Sequence, residues 1–481
     1  MQKILVWFRR DLRLGDNPAL HAAKRAQLIP IYIHAPQEDA PWEPGGASRW
    51  WLHHSLAALA TQLKAAGSRL ILRTGDSLTV LQDLIAETGA DAVYLNRLYE
   101  PATIARDTRI KSVLAEQGIH YRSFTSALLF EPWQVQTRTG GPYKVFTPFW
   151  QACQRLGLPT DITPGVRSLP TVSRTIRSLA VDDLQLLPRT GWDKQFYDHW
   201  QSGEAGARTL LRTFLKHRLD DYHNRRDFPA GAATSRLSPH LHFGEISARQ
   251  IVYAVEQILH ETKGRASARA AQGYLRELGW REFTHHILYH FPHTTHKPLN
   301  PRFDKFPWQR RKSNMLTAWQ RGQTGFPIVD AGMRELWASG SMHNRVRMIV
   351  GSLLTKNLGY HWQTGARWFW DTLVDADLAQ NSFNWQWVAG CGADAAPYFR
   401  IFNPITQSEK FDPDGIYLRR WVPELARLPN KYLHAPWLAP AEILDSAGVV
   451  IGKTYPAPVC DLKHTREEAL LAYRQHTRTT D

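Results

Sequence analysis

The sequence predicts an α/β domain built on a doubly wound parallel sheet, followed by an all-helical domain. Short β-rich runs alternate with longer amphipathic stretches over the first 130 residues, and helical patterns continue from Gly203 nearly to the end of the chain. Strand–helix alternation of this kind is typical of parallel sheets with crossover helices. A chain of 481 residues is also too long for one ordinary core, so more than one domain is expected.

The five predicted strands are the runs KILVWF, LIPIYI, RLILR, AVYLN and HYRSF. Between them, the spacing of apolar side chains predicts helices over residues 47–66, 76–88 and 101–117. After the first strand the chain reads WFRRDLRLGDNPAL, without the G-x-G-x-x-G fingerprint of dinucleotide-binding sheets. The Rossmann-like domain therefore need not hold a dinucleotide in the usual way.

Three segments are predicted along the chain: the α/β domain over 1–130, a connector over 131–202 and a helical domain over 203–481. Long helices are expected in the last segment over 247–262 and 268–290. Prolines interrupt periodic patterns throughout the connector, which predicts a segment wrapped over the surface. These prolines are Pro132, Pro142, Pro148, Pro159, Pro164, Pro170 and Pro188.

The formal net charge of the chain is +15 at pH 7. A positive field favours polyanionic partners, of which nucleic acid is the commonest. A basic enzyme without such a partner is the alternative. With 43% hydrophobic and 21% charged residues the chain is of globular composition. No uninterrupted apolar run is long enough to span a bilayer, so no membrane partner is expected.

Three cysteines are present, Cys153, Cys391 and Cys460, and they are widely separated. They do not form a disulfide framework and are too few for a four-thiolate iron–sulfur cluster. The start, MQKILVWFRR, lacks the apolar region and cleavage site of a secretory signal. A reducing cytoplasm is the expected compartment.

The segment FPAGAATSRLSPHLHFGEIS is the first candidate for chemistry. Thr234, Ser235 and Ser238 place hydroxyls and backbone amides where a helical region opens, which suits a phosphate group. A simple loop with a helix N-cap is the alternative.

The run ELGWREF places Glu277, Trp280 and Arg281 at positions i, i+3 and i+4, on one helix face. A carboxylate beside an indole and a guanidinium is suited to bind the edge of a base while stacking on its ring. An amphipathic helix with a local ion pair would have the same pattern.

Two further strings place polar and aromatic residues on shared helix faces. In MHNRVRM, Asn344 and Met348 are four residues apart, with Arg347 alongside. In DADLAQNSFNWQW, helical spacing puts three residues on one face and two more beside them: Asp377, Asn381 and Trp385, flanked by Asp375 and Trp387. Ion pairs and core packing are the common roles of such residues. Their density indicates a cofactor site.

In this order, RRDLRLGDNPAL, TSRLSPHLHFGEIS, ELGWREF, GFPIVDAGMRELWASGSMHNRVRM and DADLAQNSFNWQW resemble the photolyase–cryptochrome family over almost the whole chain. GASRWWLHHSL, LYEP, LLFEPW and SPHLHFGE are most similar to bacterial class III cyclobutane pyrimidine dimer photolyases, which stand close to plant cryptochromes. The resemblance implies an N-terminal α/β domain, a long connector and an all-helical domain that binds FAD.

The resemblance assigns cofactor contacts residue by residue. The residues that it implies for FAD are Tyr222, Thr234, Ser235, Arg236, Leu237, Ser238, Arg281, Asn344, Arg347, Asp375, Ala376, Asp377 and Asn381. Among them, Arg347 is expected to pair with Asp375, and Asn381 to face the flavin nitrogen that changes protonation. No metal is implied, because the cofactor carries the chemistry.

The resemblance also implies an electron path to the surface. Trp385, Trp362 and Trp308 match the family's three-tryptophan wire, with a branch through Trp368 and Trp370 as an alternative to simple packing. Many relatives carry tryptophan where this chain has Ser341, so packing or redox tuning of the flavin is expected to differ here.

Within the family, the residues that the resemblance assigns to contacts with DNA or a lesion favour repair of UV-damaged DNA over photosensing. They are Arg226, Glu277, Trp280, Arg281, Asn344, Met348, Trp387 and Gln407. Two indoles suit stacking on a flipped-out dimer, and Glu277 suits a hydrogen bond to a thymine carbonyl. Asn344 and Met348 stand where enzymes for the (6-4) photoproduct carry two histidines, which indicates a cyclobutane dimer as substrate.

The alternatives are a cryptochrome-like photoreceptor without repair activity and, more distantly, a flavin electron-transfer protein. Methenyltetrahydrofolate is the antenna that the subgroup implies, with a deazaflavin or no antenna as the other possibilities. A monomer is expected.

Overall fold

The computed structural model describes residues 2–261 and 265–480. The chain forms two compact units. The first comprises Met1–Asp220, Ser235–Pro292 and Val374–Ala379, and the second comprises Asp221–Thr234, His293–Leu373 and Gln380–Asp481. The predicted division into 1–130, 131–202 and 203–481 stays a prediction.

A five-stranded parallel sheet lies in the first unit, with the order β3-β2-β1-β4-β5. Its strands are β1 (Lys3–Phe8), β2 (Gln27–His34), β3 (Ile71–Thr74), β4 (Ala92–Asn96) and β5 (His120–Phe124). Val6 of β1 pairs with Pro30 on one side and Tyr94 on the other. Alternation of side chains sends Val6 and Phe8 into one core and Leu5 and Trp7 into another. The predicted doubly wound sheet is confirmed.

The helices predicted over 47–66, 76–88 and 101–117 are present, each within one residue of its expected ends. In chain order the helices are α1 Pro18–Ala23, α2 Gly46–Ala65, α3 Ser77–Thr88, α4 Pro101–Glu116, α5 Phe146–Leu156, α6 Phe196–His199, α7 Gly203–His217, α8 Leu219–Arg225, α9 Ser238–His242, α10 Ala248–Glu261, α11 Arg265–His290, α12 Asn314–Arg321, α13 Pro327–Ser339, α14 Asn344–Ser352, α15 Trp362–Thr372, α16 Leu378–Ala389, α17 Pro404–Phe411, α18 Ile416–Trp421, α19 Asn430–Leu433, α20 Ala441–Ala447 and α21 Leu462–Thr480.

Local signals explain where the predicted helices begin and end. Asp76 caps α3 by accepting a hydrogen bond from the Thr79 amide at 2.9 Å, and Gly89 ends the helix in the left-handed region. The helix predicted over 247–262 is α10, and its last predicted residue lies outside the described part of the chain. The helix predicted over 268–290 is α11, which begins three residues earlier than expected.

The predicted connector contains regular elements that its prolines did not lead us to expect, and the longest of them is a helix. Helix α5 runs through Pro148 and buries Phe146, Phe149, Trp150 and Cys153. Pro148 is tolerated because it occupies the third position of the helix, where the backbone amide has no intrahelical acceptor.

The second unit is built from helices around an unusual turn. Helix α14 continues into a π-helical turn over Leu353–Asn357, all of whose residues are buried. Lys356 of this turn donates to the carbonyl oxygens of Ala389 and Tyr398 at 2.9 and 3.0 Å. Within the described part of the chain, no helix has the length and apolar composition needed to cross a membrane.

Candidate functional site

The loop before α9 is held in a defined conformation by its own side chains. Arg236 adopts a φ of 57°, in the left-handed region, and its guanidinium lies 4.3 Å from the ring centroid of Trp200. Leu237 is buried. At the start of α9 the Ser238 hydroxyl donates to Asp375 Oδ2 at 2.5 Å. Ser238 is exposed and Asp375 half-buried, so this pair presents an oriented carboxylate to a ligand.

Asp377 lies in a buried charge cluster of the first unit. Its Oδ2 is 3.4 Å from His242 Nδ1 and 3.5 Å from His285 Nε2. Burial acts to raise the pKa of Asp377, but the charge of His285 and the histidine hydrogen bonds hold it well below its usual range. Burial acts to lower the pKa of His285, yet Asp377 raises it above its ordinary value. Aspartate and imidazolium therefore stabilise each other.

Glu100 extends this cluster. It forms an ion pair with Arg10, whose charge outweighs burial and lowers the pKa of the Glu100 carboxyl. Ligand atoms of Glu100, His285 and Asp377 lie within 4.8 Å of one another. That separation is compatible with a metal ion, but Arg10 and His285 already supply positive charge. The contacts of the cluster are those of an ion-pair network.

Asn381 is oriented by a backbone carbonyl in the second unit. Its Nδ2 donates to the Ala366 carbonyl oxygen at 2.9 Å, and the side chain is buried. Because only the amide nitrogen can donate, this hydrogen bond identifies the atom next to the Ala366 carbonyl as Nδ2. The Oδ1 atom is left as an acceptor for a protonated group of a ligand.

Trp385 is one helical turn beyond Asn381 on α16 and packs in an aromatic cluster. Its ring meets Phe369 edge-on with centroids 5.0 Å apart and Trp319 with centroids 6.3 Å apart. Trp319 is fully buried and donates its indole N–H to the Val350 carbonyl oxygen at 3.1 Å. Trp319 was not predicted as a site residue, because nothing in its local sequence distinguishes it from an ordinary core tryptophan.

Gly365 leaves the space that the Trp385 ring occupies. A Cβ added at Gly365 would lie 2.0 Å from Cη2 and 2.3 Å from Cζ3 of that ring. We therefore expect Gly365→Ala to lower the free energy of unfolding by about 1–3 kcal/mol through overpacking, as measured by chemical denaturation. Gly141→Ala is the control, because its Cβ would meet only Thr137 Oγ1, at 3.7 Å. Equal stability of the two variants would contradict this account.

Trp362 and Trp308 share one neighbour, the imidazole of His361. His361 stacks on Trp362 with centroids 5.4 Å apart and meets Trp308 edge-on at 6.0 Å. Burial, together with the charge of Arg310, lowers the pKa of His361 to about 4, so the ring is neutral at pH 7. Trp362 is fully buried, whereas Trp308 is 9% exposed. The three rings form a continuous aromatic path toward solvent.

His361 was not predicted as a site residue, although its position directly before Trp362 places it next to the predicted wire. The spacing between Trp385 and Trp362, and hence the whole wire, stays a prediction. For the alternative branch, Trp368 stacks on the half-exposed Trp337 with centroids 6.1 Å apart, and Trp370 is half-buried.

Trp280 has a rigid aromatic support in the first unit. Its ring lies parallel to Phe146 of α5, with centroids 3.7 Å apart and planes 7° from each other. Trp280 itself is half-buried, and so is Glu277 one turn earlier on α11. Arg281 differs from both, because it is buried and donates to the Ala127 carbonyl oxygen at 2.8 Å. Its predicted ligand contacts stay predictions, and its visible role is to anchor α11.

The other predicted contacts lie on the surface of the second unit. Trp387 is half-buried and stacks on Phe402 with centroids 6.5 Å apart. Asn344 is exposed at the first position of α14, and Met348 is half-buried on the same helix. Arg347 donates from Nε to the Met342 carbonyl oxygen at 2.8 Å.

Arg226 lies with its guanidinium 5.2 Å from the ring centroid of Tyr222. Gln407 is half-buried on α17, and Ala376 is buried between the two aspartates. The roles of these residues toward FAD or DNA stay predictions.

The chain is similar to photolyases and cryptochromes over nearly its whole length. Residues 4–166 match the family model of DNA photolyase, and residues 274–475 match that of the FAD binding domain of DNA photolyase. The deoxyribodipyrimidine photo-lyase of Agrobacterium fabrum is 49% identical, over 99% of this chain and 98% of that protein. Cryptochrome-1 of Arabidopsis thaliana is 40% identical, over 96% of this chain and 69% of that protein.

Among solved structures, the crystal structure of a bacterial class III photolyase from Agrobacterium tumefaciens superimposes with a TM-score of 0.95. It is 48% identical, and the match covers 99% of this chain and 98% of that chain.

Proposed function

The chain belongs to the DNA photolyase family, and from this premise we propose that it repairs cyclobutane pyrimidine dimers in DNA with light, as a deoxyribodipyrimidine photo-lyase. The photo-lyase named above is 49% identical to this chain, whereas the cryptochrome is 40% identical. We further propose that it acts as a monomer in the cytoplasm on UV-damaged DNA.

The observation that carries the proposal is the stacking of the Trp280 indole on Phe146. Stacking on a flipped base needs a flat, partly exposed ring that does not rotate away. Parallel contact with Phe146 at 3.7 Å holds Trp280 in one orientation. Glu277, one turn away, is placed to give a hydrogen bond to a thymine carbonyl. Trp387, with Phe402 behind it, is the proposed second stacking residue.

The residues present fit a bound FAD. The oriented Ser238–Asp375 pair and the hydroxyls of Thr234 and Ser235 suit the polar part of the cofactor. The Asn381 Oδ1 atom, with its Nδ2 already engaged, suits a protonated ring nitrogen. When bound in its reduced form, FAD supplies the excited electron that opens the cyclobutane ring. Arg226 and Gln407 are proposed to contact phosphates of the DNA backbone.

For the antenna we propose methenyltetrahydrofolate, with a deazaflavin as the alternative. The absorption spectrum of the purified protein distinguishes the two, because the chromophores absorb at different wavelengths. A spectrum of FAD alone would remove the antenna from the proposal.

Replacing Trp280 by alanine tests the function directly. We expect Trp280→Ala to weaken binding of a dimer-containing oligonucleotide about tenfold, because one stacked base contributes about 1–3 kcal/mol. Light-dependent repair should fall in parallel, and Trp280→Phe should restore part of both. Trp133→Ala, which removes another exposed indole of the first unit, is the control. Absence of repair by the unmodified protein with fully reduced flavin would favour the photoreceptor instead.

A further inference from the structure

Four exposed cations lie close in the sequence to Trp308, the outermost residue of the proposed wire. Lys305, Arg310, Arg311 and Lys312 are all exposed and lie within four residues of Trp308. We call this set the basic loop. The basic loop carries four positive charges, the nearest acidic residue in the sequence is the exposed Asp304 directly before Lys305, and the Trp308 indole is 9% exposed.

None of the four basic-loop side chains forms an ion pair with a residue that the structure describes. Other arginines of the second unit do: Arg334 pairs with Glu424 at 2.8 Å, and Arg345 pairs with Asp227 at 2.8 Å. The positive potential of the basic loop is therefore directed toward solvent.

The backbone of the basic loop is fixed beside Trp308. Gln309 Oε1 accepts hydrogen bonds from the amides of Arg310 and Arg311 at 3.0 and 3.1 Å. The Gln309 amide donates to the Gly359 carbonyl oxygen at 2.8 Å, and the His361 amide donates to the Gln309 carbonyl oxygen at 3.1 Å. A charged run is usually a solvated surface, but this one is tied to the residues that hold Trp308 and Trp362.

A solvent-facing positive field around an oxidisable ring selects the donors that reach that ring. We propose that the basic loop steers small, negatively charged one-electron reductants to Trp308. The inference rests on the proposed function, because it requires Trp308 to be oxidised after light absorption. One electron then passes from the anionic donor to the Trp308 radical cation, which restores the neutral indole and leaves the donor one electron poorer. With ferrocyanide as the donor, no proton is transferred and no bond is made or broken.

The test measures the donor step alone. In the FAD-loaded protein, a light flash produces the oxidised tryptophan, and its absorbance decays at a rate proportional to the donor concentration. Ferrocyanide and ascorbate serve as anionic donors, and neutral hydroquinone as the uncharged one. In Arg310→Gln/Arg311→Gln/Lys312→Gln we expect the rate constant for ferrocyanide to fall about tenfold at low salt, the lower end of steering effects. The constant for hydroquinone should be unchanged.

A matched variant controls for net charge. Arg420→Gln/Arg427→Gln/Lys431→Gln removes three exposed cations from another segment of the second unit and should leave the ferrocyanide rate near that of the unmodified protein. Raising the ionic strength from about 0.01 to 1 M shortens the screening length from about 30 to 3 Å and should abolish the difference between the variants.

The experiment distinguishes failure of the wire assignment from failure of the steering proposal. If no oxidised tryptophan forms, or if it forms equally in Trp308→Phe, the wire assignment fails. If it forms but ferrocyanide reacts equally fast with the basic-loop variant and the unmodified protein, the steering proposal is overturned. It is also overturned if the variant loses affinity for undamaged DNA with no change in donor rate, because the basic loop is then a phosphate contact.

Discussion

Replacing Asp377 by asparagine is expected to lower the free energy of unfolding by about 3–5 kcal/mol near pH 6, the usual result of removing one partner of a buried ion pair. Asp377 and His285 are both buried and 3.5 Å apart. An amide would remove the Asp377 counter-charge of the His285 imidazolium and leave Glu100 as the remaining carboxylate of the cluster. Its second histidine neighbour, His242, is 3.4 Å from the same carboxylate oxygen and adds to the loss.

The loss should depend on pH in a defined direction. Asp377 has its pKa lowered below the ordinary value of 3.8, so its stabilisation is present above that pH and lost as pH falls through the folded-state pKa. His285 has its pKa raised above 6.5, so its stabilisation is present below pH 6.5 and lost as pH rises through the folded-state pKa. The pair is therefore fully charged between these values, and the difference between Asp377→Asn and the unmodified protein should narrow at alkaline pH.

Chemical denaturation of the FAD-loaded protein at pH 6 and at pH 9 measures this difference. Asp445→Asn, which changes an exposed carboxylate on α20, is the control and should cost less than about 0.5 kcal/mol at both values. A loss in Asp377→Asn that is the same at both pH values would show that the ion pair is not its source.

The regular elements were predictable because their signals are local. The run KILVWF forms β1 as expected, since a strand buried on both faces needs apolar side chains at consecutive positions. Helix α3 begins and ends where Asp76 and Gly89 indicate. The family motifs also predicted individual site residues, because the resemblance assigns roles to particular positions.

Contacts between distant segments were not predictable in the same way. Phe146 supports Trp280 from 134 positions away in the sequence, and no periodicity within either helix identifies that partner. Trp319 beside Trp385 was missed for the same reason. Side-chain packing of this kind depends on how whole elements meet, and many apolar residues would satisfy the local pattern equally well.

Replacing Trp308 by phenylalanine is expected to slow light-driven reduction of the flavin about tenfold or more, equivalent to about 1.4 kcal/mol or more in the barrier. Phenylalanine is much harder to oxidise than tryptophan, so the path through Trp362 and His361 would end before it reaches solvent. The aromatic neighbour Phe306, 4.5 Å away between centroids, can still pack against the smaller ring. Transient absorption after a light flash, with an external reductant present, gives the rate.

Repair by Trp308→Phe enzyme that has been chemically reduced beforehand should stay near the level of the unmodified protein, because the electron for repair does not travel through the wire. Trp337→Phe is the matched control: it alters an exposed tryptophan that stacks on Trp368, in the alternative branch. Equal slowing in both variants would mean that electrons leave by two routes. Loss of repair in pre-reduced Trp308→Phe would instead make this residue part of the folded framework of the catalytic unit, because a wire that carries only the reducing electron has no role once the flavin is already reduced.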